Sequence, residues 1–213
     1  MFRYSDWSVD GTKILSRREL AAVLADLERL APRSRQSRLN RVIFRLACCC
    51  GLRASEIGGL KLADVHISET RPHLVVRAKT GKGQKGRAVP LWWDANTLAN
   101  LATWKSERLA HVTNLREPIV CCQKPTRLGR ALSRHTLRRR FLTACKCLGR
   151  DRLATLTIHH GRHTFISHAL AGGRTLAEVR QAAGHSNLIT TSVYLHIAVD
   201  DDETVGSLFA KSS

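Results

Sequence analysis

Apolar side chains recur at helical spacing through Leu20, Val23, Leu24 and Leu27, and Ser16-Arg17-Arg18-Glu19 ahead of them has capping-box spacing. A first helix is therefore predicted to start there and to stop before Pro32. Ser34 to Cys50 forms a second predicted helix, with Val42, Ile43, Leu46 and Ala47 on an apolar face, Arg38, Arg41 and Arg45 on the other, and Gly51 at its end. Ala54 to Gly59 is helical in pattern. The period then changes to two in His73-Leu74-Val75-Val76-Arg77-Ala78 and, after a link rich in glycine and lysine, in Arg87-Ala88-Val89-Pro90-Leu91. That is the pattern of a hairpin with a basic tip. Helical spacing returns from Asp94 to Leu109 and from Ser133 to Leu148, then in three short pieces divided by Gly172-Gly173 and Gly184. The fold expected is mainly α with a small antiparallel β-sheet.

No internal repeat, long flexible linker or low-complexity tail divides the chain, and the acidic run Asp200-Asp201-Asp202-Glu203 is local. One body over residues 31–213 is expected, with residues 1–30 as an N-terminal appendage. At 213 residues and 43% hydrophobic content the chain can bury a sizeable core, which excludes disorder throughout. Trp92 and Trp93, after the hairpin, are expected in that core. Lys and Arg number 35 against 17 Asp and Glu, a formal charge of +18 spread along the whole chain. A polyanionic partner is implied, and the even spread favours nucleic acid over a membrane surface. The sequence shows neither a membrane-spanning apolar run nor the pattern of a signal peptide near Met1, so a cytoplasmic location is expected. The seven cysteines fall in clusters, Cys48-Cys49-Cys50, Cys121-Cys122 and Cys145 with Cys147, which suit neither a disulfide framework nor a zinc site. Free, mostly buried thiols are expected, and no metal.

The residues with chemistry are concentrated in four segments: Gly51-Leu52-Arg53-Ala54-Ser55-Glu56, then Thr157-Ile158-His159-His160-Gly161-Arg162-His163-Thr164-Phe165, then Ala183-Gly184-His185-Ser186, then Thr190-Thr191-Ser192-Val193-Tyr194. Tyr194 follows His185 by nine residues and is one of two tyrosines, the other being Tyr4. In order and spacing these segments resemble the signature of the tyrosine recombinases, the phage integrase family, with the resemblance running from Leu15 to Ile197.

The resemblance implies the catalytic-domain fold of these DNA breaking and rejoining enzymes. It also implies site-specific recombination through a 3′-phosphotyrosyl intermediate, double-stranded DNA as partner, a homotetramer on DNA, and no cofactor or metal. Displacement at a phosphodiester needs a nucleophile, a proton donor for the leaving oxygen and fixed cations around the non-bridging oxygens. Arg53 and Arg162 match the family's phosphate clamp, a task suited to the guanidinium fork. Tyr194 matches the nucleophile. A phenol with a pKa of about 10 needs a base nearby, and His159 is the candidate. His185 is expected to hydrogen-bond the phosphate or to orient the attack. Gly81-Lys82-Gly83-Gln84-Lys85-Gly86-Arg87-Ala88-Val89-Pro90-Leu91 resembles the family's hairpin strip and places Lys82 as the proton donor, with Lys79 as second choice. Lys85, Arg87 and, on the Ser133 to Leu148 helix, Arg134, Arg138 and Arg139 are expected to contact DNA.

Two departures stand out. His160 and Gly161 replace an acidic and an aliphatic residue common in the family, and a glycine there costs helix stability. Integrases usually carry a separate helical domain ahead of the catalytic one, and here only a short segment precedes the second helix. If Met1 is the true start, the chain resembles the short recombinases that invert fimbrial promoter segments; if the sequence is a fragment, DNA grip and site choice are expected in a further part. A type IB topoisomerase, which uses a similar site to relax supercoils, and a non-catalytic DNA-binding regulator that keeps the fold are the alternatives.

Overall fold

The computed structural model describes residues 11–78, 86–112, 114–195 and 209. Within them helices α1 (Arg17–Leu30), α2 (Arg35–Cys48) and α3 (Ala54–Gly59) precede a small sheet of β1 (Val65–His66), β2 (His73–Val76) and β3 (Arg87–Pro90). Helices α4 (Ala95–Leu109), α5 (Arg134–Ala144), α6 (Arg150–Thr155), α7 (Ile158–Ala171), α8 (Leu176–Ala183) and α9 (Ile189–Ser192) follow. No helix among the described residues is long and apolar enough to cross a membrane.

Helix α1 starts as its capping box predicts. The Glu19 N–H donates to Ser16 Oγ at 3.2 Å, and the Ser16 N–H donates to Glu19 Oε2 at 2.8 Å. The chain then enters a single 3-10 turn, Ala31–Arg33, in which Pro32 offers no N–H to continue the helix. Helix α1, which falls within the segment expected as an appendage, packs into the core. Leu15, Leu20, Val23 and Leu27 are fully buried. The Leu15 N–H donates to Thr164 Oγ1 at 2.9 Å, and Arg152 donates to Glu19 Oε1 and to the Ile14 carbonyl, both at 2.7 Å.

Helix α2 is the axis of the fold and packs against α1, α4, α5 and α7. Its C-terminal half is buried on every side, from Val42 to Cys48, with Phe44 stacked on Phe141 of α5 at 5.8 Å. Arg45, expected on a polar face, is buried here. It donates to Glu28 Oε1 at 2.9 Å, Asp94 Oδ2 at 3.2 Å and Thr97 Oγ1 at 3.1 Å, so the desolvated charge ties α1 to the start of α4.

The sheet is antiparallel in the order β1-β2-β3, with Val65 opposite Leu74 and Leu74 opposite Val89. These three residues and Val76 turn one face of the sheet to the core. The predicted hairpin is β2 and β3; β1 is two residues long, too short to show alternation. Only one of the two tryptophans is in the core. Trp93 stacks on Phe165 at 6.0 Å, whereas Trp92 is 47% exposed because adjacent side chains in this turn diverge. Helix α5 buries Leu137 and Phe141 and leaves Arg134, Arg138 and Arg139 exposed.

All seven cysteines are free thiols, and five are buried: Cys48, Cys49, Cys50, Cys121 and Cys145. Phe209 packs onto its own chain, edge-on to Phe165 at 5.4 Å, while its carbonyl accepts from Arg174 Nε at 2.9 Å.

Candidate active site

The site is built where α2 ends. Gly51 adopts φ +64°, a left-handed conformation in which a Cβ would lie 2.4 Å from the Phe165 ring. The backbone therefore reverses closely over α7, and its carbonyl accepts from Arg162 Nη1 at 2.9 Å. Two residues on, Arg53 stands at the start of α3. Its N–H donates to Glu56 Oε2 at 2.8 Å and its Nη1 to Glu56 Oε1 at 3.1 Å.

Glu56 is shared by two arginines. Arg87, from β3, donates Nη1 and Nη2 to the two carboxylate oxygens at 2.9 Å each and Nε to the Ala182 carbonyl at 2.8 Å. Burial alone would raise the Glu56 carboxyl, but the hydrogen bonds and charge of Arg87, the Arg53 N–H and the Arg53 charge outweigh it and hold its pKa at about 2. Arg87, expected to contact DNA, has all three of its guanidinium nitrogens engaged inside the protein. Gly184 completes the enclosure. At φ +70° it ends α8, and a Cβ there would meet Arg87 Cδ at 2.7 Å.

Arg162 projects from α7 and is 7% exposed. Burial, then repulsion from Arg53, lowers its pKa to about 10, against the opposing pull of Glu56, so it remains charged at neutral pH. Its Nη2 is buried and has no hydrogen-bond partner among the described residues. A buried cationic donor without an acceptor suits an anionic oxygen delivered by a ligand.

Gly161 lets this helix come in. A Cβ at Gly161 would lie 2.8 Å from Ala47 Cβ and 3.1 Å from Cys48 Sγ. The glycine that costs helix propensity thus permits the close crossing of α7 over α2 that carries Arg162 inward.

Beyond Gly184, His185 Nδ1 lies 2.9 Å from Thr191 Oγ1. This contact folds the short α9 back, so the nine-residue spacing from His185 returns Tyr194 to α7. Tyr194 is buried, and its Oη lies 2.5 Å from Nδ1 of His163. The sequence points to His159 as the base, and the histidine in contact with the phenol is His163. His159 lies in the first turn of α7, is exposed and makes no hydrogen bond to the phenol, whereas His163, one turn deeper on the same face, does. Burial, then the charges of His160, His159, Arg162 and Lys13, lowers the His163 pKa to about 4. Burial, then Arg162, Arg53, Arg87 and His163, lowers that of His185 to about 4. Burial raises the phenol of Tyr194, opposed by Arg162. At neutral pH the site therefore holds a protonated tyrosine, two neutral imidazoles and charged guanidinium groups.

A cleft of ≈ 1060 Å³ opens beside the site between α3, the sheet and the end of α8, lined by Arg53, Arg77, Arg180 and His185 among others. Arg53, Arg162, His185 and Tyr194 are thus drawn together from four separate segments. Lys79, Lys82 and Lys85 lie outside the described residues.

Helices packed round α2 with a small three-stranded sheet at their side bring two arginines and a buried tyrosine into one charged site. A model of the phage integrase family matches residues 13–200, and the chain belongs to that family. It is 29% identical over 189 residues to tyrosine recombinase XerD of Lacticaseibacillus casei, covering 86% of this chain and 58% of that protein. It is 32% identical over 186 residues to tyrosine recombinase XerC of Chromobacterium violaceum, covering 87% and 54%. Among solved structures, XerA recombinase matches with a TM-score of 0.69 at 22% identity over 95% of this chain and 62% of that one, a likeness of fold. XerH recombinase bound to its palindromic difH substrate, in a post-cleavage complex, matches with a TM-score of 0.68 at 26% identity over 89% and 51%. The chain spans 51–62% of the length of these four relatives.

Proposed function

We propose that this chain is the catalytic part of a site-specific tyrosine recombinase, acting on double-stranded DNA. The observation that carries the reading is the buried phenol of Tyr194 against a neutral imidazole, in the field of Arg162, whose Nη2 has no acceptor among the described residues.

In the proposed reaction Arg53 and Arg162 hold the non-bridging oxygens of the scissile phosphate. His163 Nδ1 accepts the phenol proton as Tyr194 Oη attacks phosphorus, forming a 3′-phosphotyrosyl bond and breaking the bond to the 5′ oxygen. That oxygen leaves with a proton from Lys82 or Lys79. The 5′ hydroxyl of a second strand then attacks the phosphotyrosyl bond and returns the phenol. Because bond energy stays in the covalent link, the exchange needs neither ATP nor metal. His185, fixed through Nδ1 by Thr191, uses Nε2 to hydrogen-bond the phosphate. Arg134, Arg138 and Arg139 on the exposed face of α5, together with Lys85, grip the DNA backbone, and a homotetramer on two sites is the active assembly.

Incubation with a nicked suicide substrate tests this. A covalent protein–DNA adduct that Tyr194→Phe abolishes is expected. Absence of the adduct would leave a DNA-binding regulator, and relaxation of supercoiled DNA without recombinant product would indicate a topoisomerase.

A further inference from the structure

Away from the cleft, the β1–β2 turn assembles three side chains with metal-ligand chemistry. His66 closes β1 and His73 opens β2, and the two are partners in the antiparallel register. Their imidazole rings stack with centroids 4.7 Å apart and planes within 6°. Glu69, in the turn between them, places Oε1 2.7 Å from His66 Nδ1 and Oε2 3.4 Å from His73 Nδ1. One ligand atom from each residue lies within 4.8 Å of the other two. His73 Nδ1 donates to the Arg71 carbonyl at 2.9 Å, which orients that ring and leaves Nε2 as its lone-pair nitrogen.

We propose that His66, Glu69 and His73 form a binding site for a divalent first-row transition ion such as Zn²⁺, with water completing the coordination. Two imidazoles and one carboxylate are a donor set for Zn²⁺, Ni²⁺ or Cu²⁺, whereas Mg²⁺ and Ca²⁺ favour oxygen ligands throughout. Bonds of about 2.0–2.1 Å to zinc require the two rings to turn out of their parallel stack, so that their in-plane lone pairs and a Glu69 oxygen converge on a common centre. All three side chains reach solvent, so an ion enters without disturbing the core, and none of them lines the cleft. The ion would clamp β1 to β2, the strand whose far end leads into the lysine-bearing segment 79–85. This inference is independent of the proposed recombinase activity.

Metal-free protein titrated calorimetrically with ZnCl2 is expected to bind one ion per chain, with MgCl2 giving no comparable heat. His66→Gln and His73→Gln should each weaken Zn²⁺ binding by at least about tenfold. The Tm should rise with Zn²⁺ in the unaltered chain and not in the variants. Imidazole NMR signals of the unaltered protein give a readout free of mutation, in which His66 and His73 should shift first. No Zn²⁺ binding, binding unchanged in both variants, or first shifts at other histidines would each overturn the proposal.

Discussion

His163 Nδ1 and Tyr194 Oη stand 2.5 Å apart, with ring centroids separated by 5.7 Å. The contact joins the second turn of α7 to the residue the chain delivers after α9. It pairs a phenol made less acidic by burial with an imidazole that the same burial keeps uncharged. A neutral imidazole can take the phenol proton; an imidazolium cannot. His163→Gln is therefore expected to slow covalent adduct formation by about 10²–10⁴-fold, the usual contribution of a general base. His159→Gln should cost less. Single-turnover rates on the suicide substrate measure both.

The same electrostatics predict how free protein titrates. His163 and His185 should take up protons near pH 4, well below the ordinary 6.5, in an NMR titration of their ring signals. A base with a depressed folded-state pKa binds its proton first in the unfolded chain. The two histidines thus favour the folded state fully above pH 6.5, and that contribution falls away as pH drops towards 4. Midpoints at 6.5 would mean that the rings are solvated and the site open.

Glu56 extends the acid sensitivity downward. With its carboxyl at about 2 against an ordinary 4.5, it stabilises the fold above pH 4.5 and loses that effect as pH falls towards 2. Glu56→Gln would leave Arg87, enclosed by Gly184 and bonded to Ala182, as a buried cation without a counterion. Loss of roughly 3–5 kcal/mol is expected from breaking such a pair, read by urea denaturation at neutral pH. Glu56→Gln combined with Arg87→Met should recover part of it.

The helices and the main hairpin were legible because α-helical and β periods write themselves into local order. The candidate site was legible because Arg53, Arg162, His185 and Tyr194 keep a family spacing. What stayed hidden depends on contacts distant in sequence. Arg87 reads as one more cation in a basic strip until Glu56, 31 residues away, is seen beneath it. Arg45 shares helical spacing with Arg38 and Arg41, yet α1 and α4 close over it alone among the three. His163 carried a signal, lying four residues after His159 and hence on its face of the helix. Which of the two turns meets the phenol is decided by the path from His185 through Thr191, which periodicity does not describe.

Gly161 offers the sharpest test of the packing that delivers Arg162. By propensity alone, Gly161→Ala should stabilise α7 by up to about 1 kcal/mol. The added methyl would instead stand 2.8 Å from Ala47 Cβ and 3.0 Å from the Ala47 carbonyl carbon, distances that force α7 away from α2. Overpacking of this kind costs about 1–3 kcal/mol, so a net loss of stability is expected, measured as a lower urea midpoint. The displacement would also draw Arg162 Nη1 from the Gly51 carbonyl, so adduct formation should fall as well. Ala47→Gly removes the opposing methyl. In the double variant part of both losses should return, giving a favourable coupling energy in the mutant cycle. Additive losses would place the cost of Gly161→Ala elsewhere than the α2–α7 crossing.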